Sequence, residues 1–128
     1  MCHVKNSAQK LQMEIFSFGF YIRSLLSTKE KLIKRNFTLY KQHNGKEISE
    51  ITFNRKIIAT CNIKLDDALK KLECDDNFLK LSQCDREIYK MYFCENQTST
   101  YVSQTSPIKI NPKNLVEYLR KQCFSVEI

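Results

Sequence analysis

The sequence predicts an α+β protein in which a long, coiled-coil-like N-terminal amphipathic helix precedes a small head of a β-hairpin and further helices. Three observations lead to this prediction. Apolar residues recur at alternating steps of four and three between positions 11 and 39, an Asn-Gly pair separates two apolar runs, and helix-start signals mark the C-terminal half. We therefore assign residues 1–36 to the long helix and residues 37–128 to the α+β head with its C-terminal helix.

The N-terminal repeat forms one apolar stripe, which we call the seam. Its spacing keeps the stripe on one side of a slightly supercoiled helix, and Ser7 is a suitable N-cap. Gly19 predicts the close approach of another backbone. The helix can pack its seam on its own domain or form an intermolecular coiled coil, and both arrangements stay open. The seam residues predicted to bind a partner are Leu11, Ile15, Phe18, Ile22, Leu25, Lys29, Leu32 and Asn36.

The middle of the chain predicts strands around an Asn44-Gly45 turn. Phe37 to Tyr40 alternates as a strand does, and β-branched residues follow the turn. We expect strands near residues 37–42, 47–53 and 56–63. The same Asn-Gly pair would also serve as the end of a helix, with Gly45 as its cap, and this alternative stays open.

The C-terminal half predicts helices that alternate with irregular segments. Residues 65–73 carry acids early and lysines late, as a helix dipole favours, and they predict a short helix. Another helix is predicted near residues 85–95, within which residues 88–94 stay open between helix and strand. The polar segment 96–106 predicts a loop, and residues 108–110 predict a short strand. Asn111 before Pro112 is a strong helix start. The predicted apolar face of the terminal helix comprises Leu115, Val116, Leu119, Cys123 and Phe124.

Positive charge is concentrated in the first half of the chain. The net charge is +7, and residues 1–64 hold twelve Lys or Arg against four Asp or Glu. Such a surface favours acidic partners, among them nucleic acid, although no known nucleic-acid-reading motif surrounds the basic segment 29–46. The predicted phosphate contacts are Lys31, Lys34, Arg35, Lys41 and Lys46.

No recognisable constellation of catalytic or metal-ligating residues is present. The six cysteines form no Cys-x-x-Cys pair, the two histidines lie in different segments, and Asp66-Asp67 and Asp75-Asp76 lack the spacing of a calcium loop. We expect six reduced, structural cysteines, with disulfides or a metal site as the alternatives. The sequence predicts no enzyme, no catalytic residue, no metal and no cofactor.

The N-terminal sequence lacks the pattern of a secretory signal, and the apolar run 15–22 is too short to span a membrane. We therefore expect an intracellular protein, nuclear or cytoplasmic, without a membrane-spanning segment.

The segment Pro107-Ile108-Lys109-Ile110-Asn111, followed by a closing helix and preceded by a coiled-coil pattern, resembles the short linker subunits of kinetochores. The resemblance implies a small α+β head at the end of a coiled coil.

The predicted function is that of a non-enzymatic adaptor or scaffold subunit of an intracellular multiprotein complex, binding a partner or itself through the N-terminal helix. The alternative is a nucleic-acid-associated accessory protein of chromosome or kinetochore type that uses residues 29–46.

Overall fold

The computed structural model describes residues 14–42 and 47–127, and every regular element in these two ranges is helical. The helices are α1 (Ile15–Gln42), α2 (Glu47–Glu73), α3 (Asp76–Lys80), α4 (Gln83–Tyr89), α5 (Ser99–Thr105) and α6 (Leu115–Ser125). A π-helical turn, Lys90–Cys94, continues α4, and a 3-10 turn, Pro112–Asn114, leads into α6. The prediction of an α+β fold is therefore wrong, because the described chain is helical and holds no strand.

The three strands predicted near residues 37–42, 47–53 and 56–63 are wrong, because these residues form the end of α1 and most of α2. The buried positions of α2 explain the error, since they recur at steps of three, four or seven residues, as one face of a helix does. They are Glu47, Ile51, Asn54, Cys61, Leu65, Ala68 and Leu72. Packing of this helical stripe outweighs the strand preference of the β-branched residues. The predicted boundary between residues 36 and 37 falls inside α1.

The turn predicted at Asn44-Gly45 lies outside the described residues. Helices flank it on both sides, as the alternative interpretation of Gly45 as a helix cap requires. Farther along, the predicted loop 96–106 contains α5, whose N-cap Thr98 accepts a hydrogen bond from the backbone N–H of Tyr101 at 3.1 Å. The strand predicted at residues 108–110 is irregular.

Two C-terminal predictions are confirmed. Residues 85–95 are mostly helical, and the helix widens into the π turn instead of becoming a strand. The start signal at Asn111 is confirmed, because its side chain caps the 3-10 turn by accepting a hydrogen bond from the Lys113 N–H at 2.9 Å. Of the predicted apolar face of α6, Leu115, Leu119 and Cys123 are buried.

The helices α1 and α2 form an antiparallel hairpin. Phe18 lines the same small groove as Ala68, whereas Asn36 bonds to Asn54, so that positions rising along α1 meet positions falling along α2. The segment from α3 to α6, which we call the head, packs at the end of the hairpin that holds Ile15. The other end, which we call the distal hairpin, extends past the main core.

A ring from the π turn lies directly against α1. A Cβ atom added to Gly19 would stand 2.5 Å from Cδ2 of Phe93, closer than real Cβ contacts. The Phe93 ring is fully buried and packs edge-on against Phe20 and Tyr89, at centroid distances of 5.0 and 4.7 Å. Position 19 is glycine because the Phe93 ring occupies the space that a Cβ atom would need. The expectation that another backbone approaches Gly19 is wrong, because the close neighbour is a side chain.

We predict that Gly19→Ala destabilises the protein by roughly 1–2 kcal/mol. Displacing a buried ring costs about 1–3 kcal/mol, and the better helix propensity of Ala returns up to about 1 kcal/mol. Chemical denaturation measures the difference. Ser17→Ala, an exposed change in the same helix, is the control and should shift the free energy of unfolding by less than about 0.5 kcal/mol. Equal stability of Gly19→Ala and wild type would contradict the prediction.

Candidate functional site

The seam of α1 lies within the protein. Ile15, Ile22 and Asn36 are buried, and Ile15 and Ile22 belong to the main core. The remaining described seam residues are half-buried: Phe18, Leu25, Lys29 and Leu32. Leu11 lies outside the described residues. The seam therefore packs on α2 and the core, and its buried side chains are not available to a second molecule in this fold.

A pair of asparagines takes the polar position that interrupts the seam. Asn54 donates from Nδ2 to Oδ1 of Asn36 at 2.9 Å, and Asn36 donates to the carbonyl of Ile51 at 3.4 Å. Both side chains are buried. A buried polar pair is satisfied in only one alignment of the two helices, so it sets the register of the distal hairpin.

A second stripe runs along α1, again at steps of four and three residues: Gly19, Arg23, Leu26, Glu30, Ile33, Phe37 and Tyr40. The head covers its first half. The guanidinium of Arg23 donates to the carbonyls of Tyr92 at 2.6 Å and Gln97 at 2.8 Å, and it lies 4.0 Å from the Tyr92 ring centroid. Glu30 accepts a hydrogen bond from Asn96 at 3.2 Å.

Coverage by the head ends at Glu30, and the apolar pattern continues beyond it. Ile33 is 48% exposed, Phe37 62% and Tyr40 45%. A run of large exposed apolar side chains on one stripe is unusual for a surface that faces only water. This half of the stripe therefore forms the core of our candidate site.

Helix α2 contributes one further residue to the same side of the hairpin. The guanidinium of Arg55 hydrogen-bonds to the Tyr40 hydroxyl and lies 5.6 Å from its ring centroid. Ile48 precedes Arg55 by seven residues, or about two turns, and so projects on the same side of α2. It is 67% exposed. We call Ile33, Phe37, Tyr40 and Ile48 the distal face.

Basic side chains border the distal face along both helices. Lys41 holds its ammonium 4.5 Å from the Phe37 ring centroid, and Lys34 lies one turn before Phe37 on α1. Arg55 occupies the α2 edge, over Tyr40. We call Lys34, Lys41 and Arg55 the basic rim. An apolar strip between cations is a surface for a ligand that is apolar in its centre and negative at its edges.

The residues predicted to contact phosphate are partly brought together. Lys31, Lys34 and Lys41 are exposed and fall within about 80° of the α1 circumference. Arg35 lies beside them but pairs with Glu50 of α2, its Nε 2.7 Å from Oε2. The hydrogen bond from Arg35 holds the pKa of the exposed Glu50 carboxyl below its ordinary value. Lys46 lies outside the described residues.

The sequence-based prediction missed the distal face because it assigned Phe37 and Tyr40 to a strand. The second stripe has the same four-and-three spacing as the seam, displaced by one residue at Phe18-Gly19. Extending the helical interpretation to Gln42 would have revealed an apolar run that the seam does not use. Ile48 had no such signal, because its place depends on how α2 packs on α1.

The two acidic pairs that the sequence offers as cation ligands lie on the surface of α2 and at the start of α3. Asp66 and Asp67 are exposed on α2, and Asp75 caps α3 by accepting from the Phe78 N–H at 3.1 Å. Within residues 14–42 and 47–127, no three His, Cys, Asp or Glu side chains gather as metal ligands would. No helix in these ranges is both long and apolar enough to cross a membrane.

A buried carboxylate ties α4 to α6. Asp85 accepts from the Tyr118 hydroxyl at 2.6 Å and from the Gln122 amide at 2.7 Å, one bond to each oxygen. Burial raises the pKa of the Tyr118 hydroxyl, and its bond to Asp85 raises it further. Because both oxygens are occupied by side chains of the same fold, this cluster stabilises the head.

The cysteines differ in state and exposure. Cys61, Cys84, Cys94 and Cys123 are free thiols, whereas Cys74 is disulfide-bonded, so the prediction of six reduced cysteines is wrong for Cys74. Burial raises the pKa values of Cys94 and Cys123 to about 12 each. Cys84 is exposed on α4.

We predict that an alkylating reagent labels Cys84 in the folded protein and leaves Cys94 and Cys123 unlabelled. The thiolate is the reactive form, and raised pKa values keep the two buried thiols protonated from about pH 6 to pH 9, so raising the pH over this range does not start their labelling. Mass-spectrometric peptide mapping before and after denaturation makes the measurement. Labelling of folded Cys123 as fast as that of Cys84 would contradict it.

Comparison with known proteins yields no relative: no family model, no curated protein and no solved structure matches this chain. A functional interpretation therefore depends on the distal face and its basic rim, as the residues present them.

Proposed function

We propose that the protein is a non-enzymatic adaptor or scaffold subunit of a multiprotein complex and that it binds a partner protein through α1. The contact surface is the distal face instead of the buried seam. The observation that supports this proposal is the second stripe of α1, which continues past the head as three exposed apolar residues, Ile33, Phe37 and Tyr40.

The composition of the distal face favours a protein as the partner. Two of its four side chains, Ile33 and Ile48, are aliphatic, and aliphatic groups neither contact phosphate nor stack on bases as aromatic rings do. Burying such side chains releases free energy at about 25 cal/mol per Å² of apolar area, largely independent of salt. A partner protein with an apolar surface can bury all four side chains of the distal face, and each burial adds to the binding free energy.

A second candidate is an accessory protein that contacts nucleic acid. It is supported by the placement of Lys31, Lys34 and Lys41 on one exposed face of α1. Cations in this arrangement can follow a phosphate backbone without reading its sequence. We rank this candidate second because phosphate contact leaves the neighbouring aliphatic residues without a role.

We place this function inside the cell, in the nucleus or the cytoplasm, as part of the same proposal. The free thiols at Cys61, Cys84, Cys94 and Cys123 support a reducing compartment, and the bonded Cys74 counts against it.

We predict that Ile33→Glu with Phe37→Glu abolishes the association of the full-length chain with its protein partner. Burying two unpaired carboxylates at the centre of an apolar contact is costly. The binding free energy is lost, because the central residues of an interface contribute most of it. Affinity-tagged chains are recovered from cells that express the protein, and co-purifying proteins are quantified by mass spectrometry. Thermal unfolding checks that the variant is folded, because exposed substitutions change stability by only about 0.5 kcal/mol.

Phe53→Glu is the matched control. Phe53 is 61% exposed, close to the value for Phe37, but it lies two residues from Arg55 and so projects about 200° away around α2. It should retain every protein that the wild type retains. Loss of the same proteins from both variants, or their retention by the double variant, would exclude the distal face as the contact.

We predict that nucleic acid binds weakly, with affinity that fades between roughly 0.05 M and 0.2 M salt, as it does for contacts made through phosphates alone. Fluorescence anisotropy with a random-sequence duplex measures it. The variant Lys31→Glu, Lys34→Glu, Lys41→Glu should lose this binding.

The control for nucleic acid is Lys64→Glu, Lys70→Glu, Lys80→Glu, which changes the net charge equally at exposed positions away from that α1 face. Tight duplex binding at about 0.15 M salt, lost in the first variant and kept in the control, would make nucleic acid the leading function.

A further inference from the structure

We infer that the distal face receives an amphipathic helix of a partner protein whose flanks carry acidic residues. This inference rests on the proposed function and specifies the partner: its secondary structure, its apolar anchors and the sign of its charge.

The shape of the site favours a helix. Ile33 and Tyr40 are seven positions apart on α1 with Phe37 between them, about two turns and about 10 Å of axial rise. A helix that binds in such a place contributes anchors at positions i, i+3 or i+4, and i+7, which cover the same length. Ile48 widens the contact onto α2, so that the partner lies along both helices of the hairpin.

An existing interface shows how this stripe is covered. In its first half, the stripe is packed by the helical turn Lys90–Cys94, with the Phe93 ring against Gly19. The second half has the same spacing and continues the same side of α1 past Glu30, without a covering element from residues 14–42 or 47–127. A partner helix on the distal face would extend an arrangement that the head already uses.

The charges at the site select the partner's flanks. The basic rim places Lys34 and Lys41 along one edge and Arg55 along the other. Three acids lie on this part of the two helices: Glu50 pairs with Arg35, Glu47 is buried, and Glu30 is exposed and keeps its charge while accepting from Asn96. Outside that ion pair, three exposed cations against one exposed acid leave the site net positive, so it attracts acids and repels bases. Charge complementarity therefore favours Asp or Glu beside the partner's apolar stripe.

The same rim argues against a second copy of this chain. A symmetric dimer through the distal face would bring each rim toward the partner's rim, and like charges in contact oppose association. Self-association is therefore an outcome that would overturn the inference.

The test is a selection of peptides on the full-length protein. A phage-displayed library of 18-residue helical peptides, with surface positions randomised over apolar, acidic, basic and neutral residues, is selected on the wild type. It is counter-selected on the folded Ile33→Glu, Phe37→Glu variant. We expect enriched peptides to share an apolar i, i+3 or i+4, i+7 stripe and a net negative charge.

Anisotropy then measures the affinity of the most enriched peptide. Ile48→Glu, which was not used in the counter-selection, should weaken binding by about 30-fold, because it places a charge in the apolar contact. The matched control Phe53→Glu should leave the affinity unchanged. Equal effects of the two substitutions would show that the peptide lies elsewhere and would overturn the inference.

A charge exchange tests the sign of the rim. The variant Lys34→Glu, Lys41→Glu, Arg55→Glu should bind the acidic peptide at least about 10-fold more weakly and prefer a version in which each acid is replaced by Lys. The variant Lys64→Glu, Lys70→Glu, Lys80→Glu should keep the original preference. An unchanged preference in the rim variant would overturn the acidic requirement.

The outcomes separate this inference from the proposed function. Peptides that depend on the distal face but are neutral, basic or extended would refute the acidic helix and leave the adaptor function standing. Recovery of no peptide that depends on the distal face would count against both. A dimer in light scattering that Phe37→Glu abolishes would assign the face to a second copy and refute the inference.

Discussion

The contact between the Phe93 ring and Gly19 determines how the rest of the molecule is arranged. It brings the π turn against α1 at a distance that no other residue at position 19 allows. Arg23, one turn farther, then reaches the carbonyls of Tyr92 and Gln97. As a result, α1 has two packed sides, the seam against α2 and the start of the second stripe against the head. A long helix that is held on both sides at one end can carry an exposed surface at the other end.

The π turn itself shows how a local irregularity positions a core. Its wider hydrogen-bonding pattern includes the bond from the Glu95 N–H to the carbonyl of Lys90 at 2.9 Å. A π turn inserts an extra residue into the helix and so rotates the residues after it around the helix axis. Tyr92 and Phe93 lie within the turn itself, which packs against α1, and both are buried. No spacing rule in the sequence predicts such an insertion, and for this reason the character of residues 88–94 stayed open between helix and strand.

The features that the sequence predicted well are those governed by local chemistry. The N-cap at Asn111 and the terminal helix follow from hydrogen bonds within a few residues, and the structure confirms both. The strands failed because Ile48, Ile51, Ile57 and Ile58 fit a strand and a helix equally well over short windows. Only the packing of α2 on α1 decides between them, and this packing joins residues far apart in the sequence, such as Asn36 with Asn54 and Phe18 with Ala68. The candidate site was missed for the same reason: its residues were assigned to the wrong element, and Ile48 joins them only in three dimensions.

The asparagine pair connects this fold to the proposed site. The distal face is made by two helices, so its shape depends on their relative register. Asn36 and Asn54 satisfy each other in a single register, since a shift of one residue rotates a helix by about 100° and would leave buried amides without partners at a cost of about 1–3 kcal/mol. The same shift would move Ile48 and Arg55 away from Tyr40. The distal hairpin lies outside the main core, where apolar packing alone would select the register less strictly. Apolar residues at these two positions would bury more hydrophobic area, but they would not select one register. The asparagine pair therefore fixes the shape of the distal face, a surface that the folded state does not need for its own stability.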